Sequence, residues 1–419
     1  MNSESATSSS ILGSYKVLDL TDEKGMLCGK FLASLGAEVI KIEPPGGDLA
    51  RNLPPFMNDT PGPEMSLYYA SQNTNKKSIT LNIETEDGRA IFKKLVKDSD
   101  FVIESFTPGY MQKLGLGYSD LEAINPRIIM TSITPFGQDG PYSQYKSSDL
   151  MIMAMSGLMY LIGDPDGPPL RISLPQSYAL GGAEGFGATM IAHLYRERTG
   201  EGQHVDVCIR DAFIKTTVSI LPEYECNHRL MKRGGKYWVI RHTPNRMLWP
   251  CKDGHVTFRL HGGTFATATN QQLVKWMDEH NMATDFLLNL DWENLDVDQV
   301  GPEVYSQLEG PTGEFFMKFT KKELFEGALA RGIMLLPVTT IEEVANSPQL
   351  EFRNYWDEVE QPAWHKSIKF PGAFIKATET PCVATQPAPS IGEHNEEIYK
   401  GILGFSSKEL ALLKAANII

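Results

Sequence analysis

The sequence predicts an α/β protein, with a doubly wound domain on a parallel sheet and a smaller α+β domain beside it. Three observations carry this. "YKVLDL" (15–20), "MLCGKFLASLG" and "AEVIKIE" (37–43) read as strand, helix and strand at the spacing of a βαβ unit. The alternation then recurs further along the chain. From residue 222 it gives way to aromatic loops, and it returns after Pro337.

Each element has its own warrant. "KKSITLNI" alternates as a strand, "EDGRAIFKKLVKDS" has the apolar period of a helix, and "DFVIES" is a buried strand. After a further helix, "RIIMTSI" supplies the next strand. "DLMIMAMSGLMYLIG" (149–163) reads as an apolar helix whose methionines fill core space. "LPQSYALGGAEGFG" runs from apolar residues into a glycine cluster, and a long amphipathic segment ending in "YRERTGEGQ" follows. Residues 222–335, with "DGHVTFRL" and the helix "NQQLVKWMDEHN", read as the smaller α+β domain. The large domain is then expected from 1–221 and 336–419, closing with a strand near "IKFPG" and the helix "SSKELALLKAANI". Its ligand should sit at the carboxyl ends of the parallel strands.

Composition narrows the function. A net charge of −13 argues against binding nucleic acid through bulk charge. The five cysteines are scattered without a CxxC pair, so neither a zinc site nor a disulfide framework is expected. The N-terminal "MNSESATSSS" lacks an apolar signal core, and no apolar run reaches membrane-spanning length. A cytoplasmic protein without a membrane partner is the expectation.

Familiar catalytic signatures fail. No glycine-rich turn ends in Gly-Lys-Ser/Thr, no GxSxG elbow occurs, and "GGAEGFG" has neither the order nor the setting of a dinucleotide fingerprint. The nine histidines form no HExxH or His-x-His pair, and His193 reads as a core or interface residue.

A set of segments taken in order does stand out: "VLDLT…LASLGAEVIKIEPPGGDLAR", "NTNKKSITLNI", "DFVIESFTPGYMQKLGLGYSDLEAINPRIIMTSITPFGQDGPY", "YRERTGEGQHVDV", "IEEVANSPQLEFRNYW" and "PAPSIGEHNEEI". Together they resemble the class III CoA-transferases, the CaiB/BaiF type, over nearly the whole chain. The resemblance implies a Rossmann-like large domain built from both chain ends, a small domain, and two chains interlocked as rings. It implies CoA and acyl-CoA as substrates, with no permanently bound cofactor. By position in the family pattern it places Lys76, Phe106, Lys113 and Lys146 near CoA. It also marks the loop with Glu23 and Lys24, which stands where the family carries "AGP" after the first strand. Cations and apolar surface are what a phosphorylated nucleotide needs. Each lysine could equally be a solvated surface residue, and Phe106 plain core.

One departure from the family pattern matters most. The resemblance implies covalent catalysis by an aspartate that attacks the acyl-CoA thioester, forms a mixed anhydride and then carries CoA. Counting back without gaps from Thr199 puts Tyr178 at that aspartate, with Gly182 at the glycine four residues on. Shifts of one or two residues give Ser177, Ala179 or Gln176, none of them an acid. The chain is therefore expected to lack the nucleophile and to pair with a homologous aspartate-bearing subunit. Benzylsuccinate CoA-transferase is the kind of heteromer implied; Tyr237, Trp238, Arg241, His242 and Arg246 are candidates either to hold an aryl dicarboxylate or to form a packed surface of the small domain. The alternative is a non-enzymatic homodimer that binds acyl-CoA as a sensor or scaffold.

Overall fold

The structure is a computed structural model, and it describes residues 10–238, 244–260, 263–297, 299–380, 382 and 386–419. The chain separates into two compact units. The first holds the chain up to Ser156, Ile172–Thr216 and Pro348–Ile419; the second holds Gly157–Arg171 and Thr217–Ser347.

In the first unit, six strands form one sheet: β1 (Lys16–Leu20), β2 (Glu38–Glu43), β3 (Lys77–Thr80), β4 (Phe101–Glu104), β5 (Ile129–Thr134) and β6 (Gln203–Cys208). All are parallel and lie in the order β3-β2-β1-β4-β5-β6. Successive side chains in a strand point to opposite faces, so each strand serves two cores. Leu18, Ile40, Val102 and Met130 join the core that also holds Phe92, Val96 and Tyr399. Val17, Val39, Phe101 and Ile129 join the other, with Cys28, Leu32 and Ala192. Full burial of one such side chain contributes roughly 1.5–3 kcal/mol.

Helices cover both faces. α1 (Met26–Ser34) follows β1, α2 (Leu67–Asn73) precedes β3, and α3 (Glu86–Lys97) follows β3. α3 begins where the Thr85 side chain accepts from Gly88 N, carries Glu86 and Asp87 in its first turn and ends on Lys94 and Lys97. Those charges complement the helix dipole. The C-terminal segment returns to this side: Tyr399 donates to Thr80 O at 2.6 Å, and Leu410 and Ile418 enter the same core as Phe92.

The glycine cluster is not a loop. It lies inside a helix that runs unbroken over Gln176–Thr199 and stops at Gly200 in the left-handed region (φ 82°). Here glycine serves close approach. A Cβ on Gly182 would stand 2.8 Å from Leu27 Cβ, and one on Gly185 2.6 Å from Ile133 Cδ1. The helix-propensity cost, about 1 kcal/mol for each glycine, is offset by the packing against α1 and β5 that it permits.

Two expected elements differ. The helix over 149–163 is broken: it spans Asp149–Met155, and a new turn, Leu158–Leu161, starts after Gly157 at φ 85°. Met153 is buried, but Met151 and Met155 are 53% and 44% exposed, so they do not fill this chain's core. The strand near "IKFPG" spans Lys366–Pro371 and pairs antiparallel with Trp356–Gln361 in a two-stranded sheet of its own.

The second unit carries a three-stranded antiparallel sheet of Leu248–Cys251, Gly254–Thr257 and Leu336–Pro337. The helices Thr264–Glu279, Pro302–Phe316 and Lys321–Arg331 accompany it, around a core rich in aromatic residues that includes Trp249, Phe258, Trp276, Phe315 and Phe316.

Candidate active site

The loop after β1 is held to the loop after β4. Asp22 N donates to Ser105 Oγ at 2.8 Å, and Ser105 Oγ donates to Asp22 Oδ1 at 2.7 Å. Lys24 pairs with the Asp22 carboxylate. Between them Glu23 turns into a cavity of about 300 Å³, lined also by Leu67, Tyr68, Ser71 and Gln72 of α2 and by Gln176, Tyr178 and Ala179 of the long helix.

Helix starts leave backbone N–H groups unpaired. Here Asp149 meets one of them: it accepts from Ser177 N at 3.0 Å and from Ser177 Oγ at 2.6 Å. The Ser177 hydroxyl is thereby committed to Asp149 and fully buried. Tyr178, one residue on, is 8% exposed and faces the cavity. Burial pushes its phenol above the usual value, and Glu23, Asp22 and Asp149 add to the shift. Tyr68 is raised in the same way, by burial first and then by Glu23. Glu23 is itself raised, by burial and then by Asp22. Among the described residues Glu23 is the one carboxylate that lines this cavity, and no cation does.

A second cavity, of about 380 Å³, opens at the carboxyl ends of the strands. Leu20, Ile42, Leu81, Phe106 and Tyr110 line it, at the point where the strand order turns from β1 to β4. Open parallel sheets bind ligands at such a point. The Phe106 and Tyr110 rings lie 4.7 Å apart, and the Tyr110 hydroxyl donates to Glu84 at 2.9 Å.

The six residues singled out near CoA therefore divide. Phe106 lines the strand-end cavity and Glu23 the cavity at Tyr178, while Lys24 is engaged by Asp22. Lys113 and Lys146 are exposed, and neither makes an ion pair among the described residues. Lys76 is buried. Its ammonium donates to Asp19 Oδ2 at 2.8 Å, Met26 O at 2.9 Å and Asn73 Oδ1 at 2.9 Å, which uses all three of its protons. Burial pulls the Lys76 pKa down, against the Asp19 charge. For Asp19, burial alone would raise the carboxyl, and Lys76 outweighs it to hold it low.

In the second unit Tyr237 donates to Glu309 at 3.2 Å, and Arg246 pairs with the same carboxylate at 2.7 Å while lying 4.8 Å over the Trp249 ring. Both polar ends are thus engaged within the unit. Trp238 is 41% exposed, and Arg241 and His242 lie outside the described residues.

Sequence reasoning missed a buried polar line beneath the strand-end loops. Glu104, at the end of β4, is 3% exposed and accepts from Phe106 N at 2.7 Å; burial pushes its carboxyl up to about 7. It also bonds Ser132 of β5, whose Oγ lies 2.9 Å from His204 Nε2 of β6. The three residues sit on adjacent strands, and nothing in their linear spacing relates them. Among the described residues no group of three or more His, Cys, Asp or Glu is placed to hold a metal ion, and no helix is long and apolar enough to cross a membrane.

The profile of CoA-transferase family III matches residues 12–395. The chain belongs to that family. Within family III it is 31% identical, over 92% of each chain, to the succinyl-CoA:(R)-benzylsuccinate CoA-transferase subunit BbsE of Thauera aromatica. It is 30% identical, over 94% of each, to the succinyl-CoA–D-citramalate CoA-transferase of Chloroflexus aurantiacus. Among solved structures, a CaiB/BaiF family protein from Brucella suis superposes with a TM-score of 0.80 at 27% identity, covering 94% of this chain and 99% of that one. Membership in family III makes acyl-CoA thioesters and carboxylic acids the substrate class.

Proposed function

We propose that this chain is the subunit of a heteromeric CoA-transferase that lacks the catalytic acid, moving CoA between succinyl-CoA and a carboxylic acid such as benzylsuccinate. The observation that carries the reading is Tyr178, which faces the cavity from the first turn of the long helix. Anhydride exchange needs a carboxylate oxygen that attacks the thioester carbonyl, expels CoA thiolate and leaves an acyl group that thiolate can reopen. A phenol whose pKa is raised above its ordinary value presents still less phenolate than a free tyrosine. Ser177 is committed to Asp149, and Gln176 and Ala179 carry no acid. A homologous subunit bearing the aspartate then supplies the nucleophile.

The rest of the reading follows the family. The strand order β3-β2-β1-β4-β5-β6 supports a Rossmann-like large domain, taken as 1–221 with 336–419 around a small domain at 222–335, in an interlocked dimer. CoA enters as a substrate, its base against Phe106 in the strand-end cavity and its phosphates toward Lys113 and Lys146. Lys24 and Glu23 border the path toward Tyr178. Lys76, with its protons engaged inside the unit, positions the loop after β1 through Asp19 and Met26.

Intact-mass analysis tests the central claim. Incubated with succinyl-CoA, the chain by itself should form no covalent CoA thioester and turn over no acid. Mixed with its aspartate-bearing partner, it should support turnover, and the adduct should map to the partner's peptide. Turnover by the lone chain, or an adduct on Tyr178 or Ser177, would overturn the reading.

A further inference from the structure

We propose that the cavity between the loop after β1, α2 and the first turn of the long helix binds an uncharged aromatic ring, and that Glu23 bars carboxylates from it. The inference goes beyond the reading of Tyr178 and stands or falls independently of any partner subunit.

Its walls set the occupant. Leu27, Pro55, Leu67, Leu174, Pro175 and Ala179 supply apolar surface, and Tyr68 and Tyr178 add two aromatic bodies with hydroxyl tips. An apolar cavity of about 150 Å³ suffices for benzene. The 300 Å³ here admits a single substituted ring and leaves little for a larger system. Ser71, Gln72 and Gln176 provide neutral polar groups at the edge.

Charge sets what is refused. A carboxylate entering this space would need a cation or several N–H donors to replace its water. Among the described residues none of the lining groups is cationic, and Glu23 is an acid in the wall. The nearby Lys24 is occupied by Asp22, and Asp149 adds a further negative charge behind Ser177. A substrate that carries both an aryl group and acid groups therefore enters ring first, with its carboxylates turned outward.

Ligand-observed NMR titration of the full chain, without partner or CoA, tests this with three single-ring probes: benzyl alcohol, benzoate and benzylammonium. Benzyl alcohol should bind saturably, and benzoate about tenfold or more weakly, the scale of one like-charge contact in a half-buried site. Benzylammonium should not share that loss, since the Glu23 carboxylate that repels benzoate attracts an ammonium. Glu23→Gln should narrow the gap between benzoate and benzyl alcohol to about twofold. Ala179→Trp, checked for folding by circular dichroism, should abolish benzyl alcohol binding by filling the space. Benzoate binding as tightly as benzyl alcohol in the unaltered chain would overturn the proposal. So would a loss for benzylammonium as large as that for benzoate, an unchanged benzoate gap in Glu23→Gln, or absence of saturable benzyl alcohol binding.

Discussion

Replacing Lys76 with alanine should destabilise the first unit far more than a surface lysine would. The Lys76 and Asp19 side chains are both 0% exposed and meet at 2.8 Å. Asp19 also accepts from Thr21 N at 2.9 Å and Thr21 Oγ1 at 2.6 Å, so the carboxylate is fully engaged only while the lysine is present. Removing one partner of a buried pair leaves an uncompensated charge and costs roughly 3–5 kcal/mol. Met26 O and Asn73 Oδ1 lose their donor as well, and these bonds tie the start of α1 to the end of α2. For a unit of this size the loss corresponds to a fall in Tm of roughly 6–10 °C. The assay is a double-mutant cycle followed by urea and thermal unfolding. Lys76→Ala and Asp19→Asn should each be strongly destabilising, whereas Lys76→Met with Asp19→Asn should recover part of the loss, because no unpaired charge is left. Lys76→Ala within about 1 kcal/mol of the parent would refute the reasoning, since that is the range of an exposed pair. An unchanged melting point with weakened CoA binding would instead make Lys76 a direct phosphate ligand.

Glu104 should impose a pH dependence on stability. Its carboxyl is raised from 4.5 to about 7 in the folded chain, so between those values the folded state holds a proton that the unfolded state has lost. Stability should therefore fall as pH rises through that window, by about 3 kcal/mol in total, and level off above it. Glu104→Gln should flatten the profile in urea titrations at stepped pH; a wild-type curve already flat from pH 4.5 to 7 would exclude the shift. For the nucleotide path, Lys146→Ala should weaken CoA binding about fivefold by calorimetry, the scale of one exposed cation on phosphate. Phe106→Ala should weaken it about tenfold by removing a stacking face. Unchanged CoA affinity in both would remove the strand-end cavity as the nucleotide site.

What the sequence determined by itself was the local grammar. Alternation in "YKVLDL" and "AEVIKIE", with one helix between them, is enough to demand two parallel strands, because a βαβ crossover is the short way to return in the same direction. The apolar period of "EDGRAIFKKLVKDS" likewise marks a helix from its neighbours alone, and the structure adds the Thr85 cap and the charges at its two ends. The placing of Tyr178 at the family's aspartate is a count from Thr199 against the family pattern, and it remains part of the proposal. Tertiary structure decided the rest. "GGAEGFG" carries the local signature of a turn, yet it is helical because Leu27, Ile133 and Ile209 press against it from distant segments. "DLMIMAMSGLMYLIG" has helical hydrophobicity throughout, but Gly157 takes a left-handed turn and ends the helix. Most of all, Glu23, Tyr68 and Tyr178 meet in one cavity, and Glu104, Ser132 and His204 in one line, although each set comes from three separate segments. Periodicity records which face of an element is apolar. The meeting of side chains at a site, and the pKa shifts that follow from their burial, depend on how those faces close over one another.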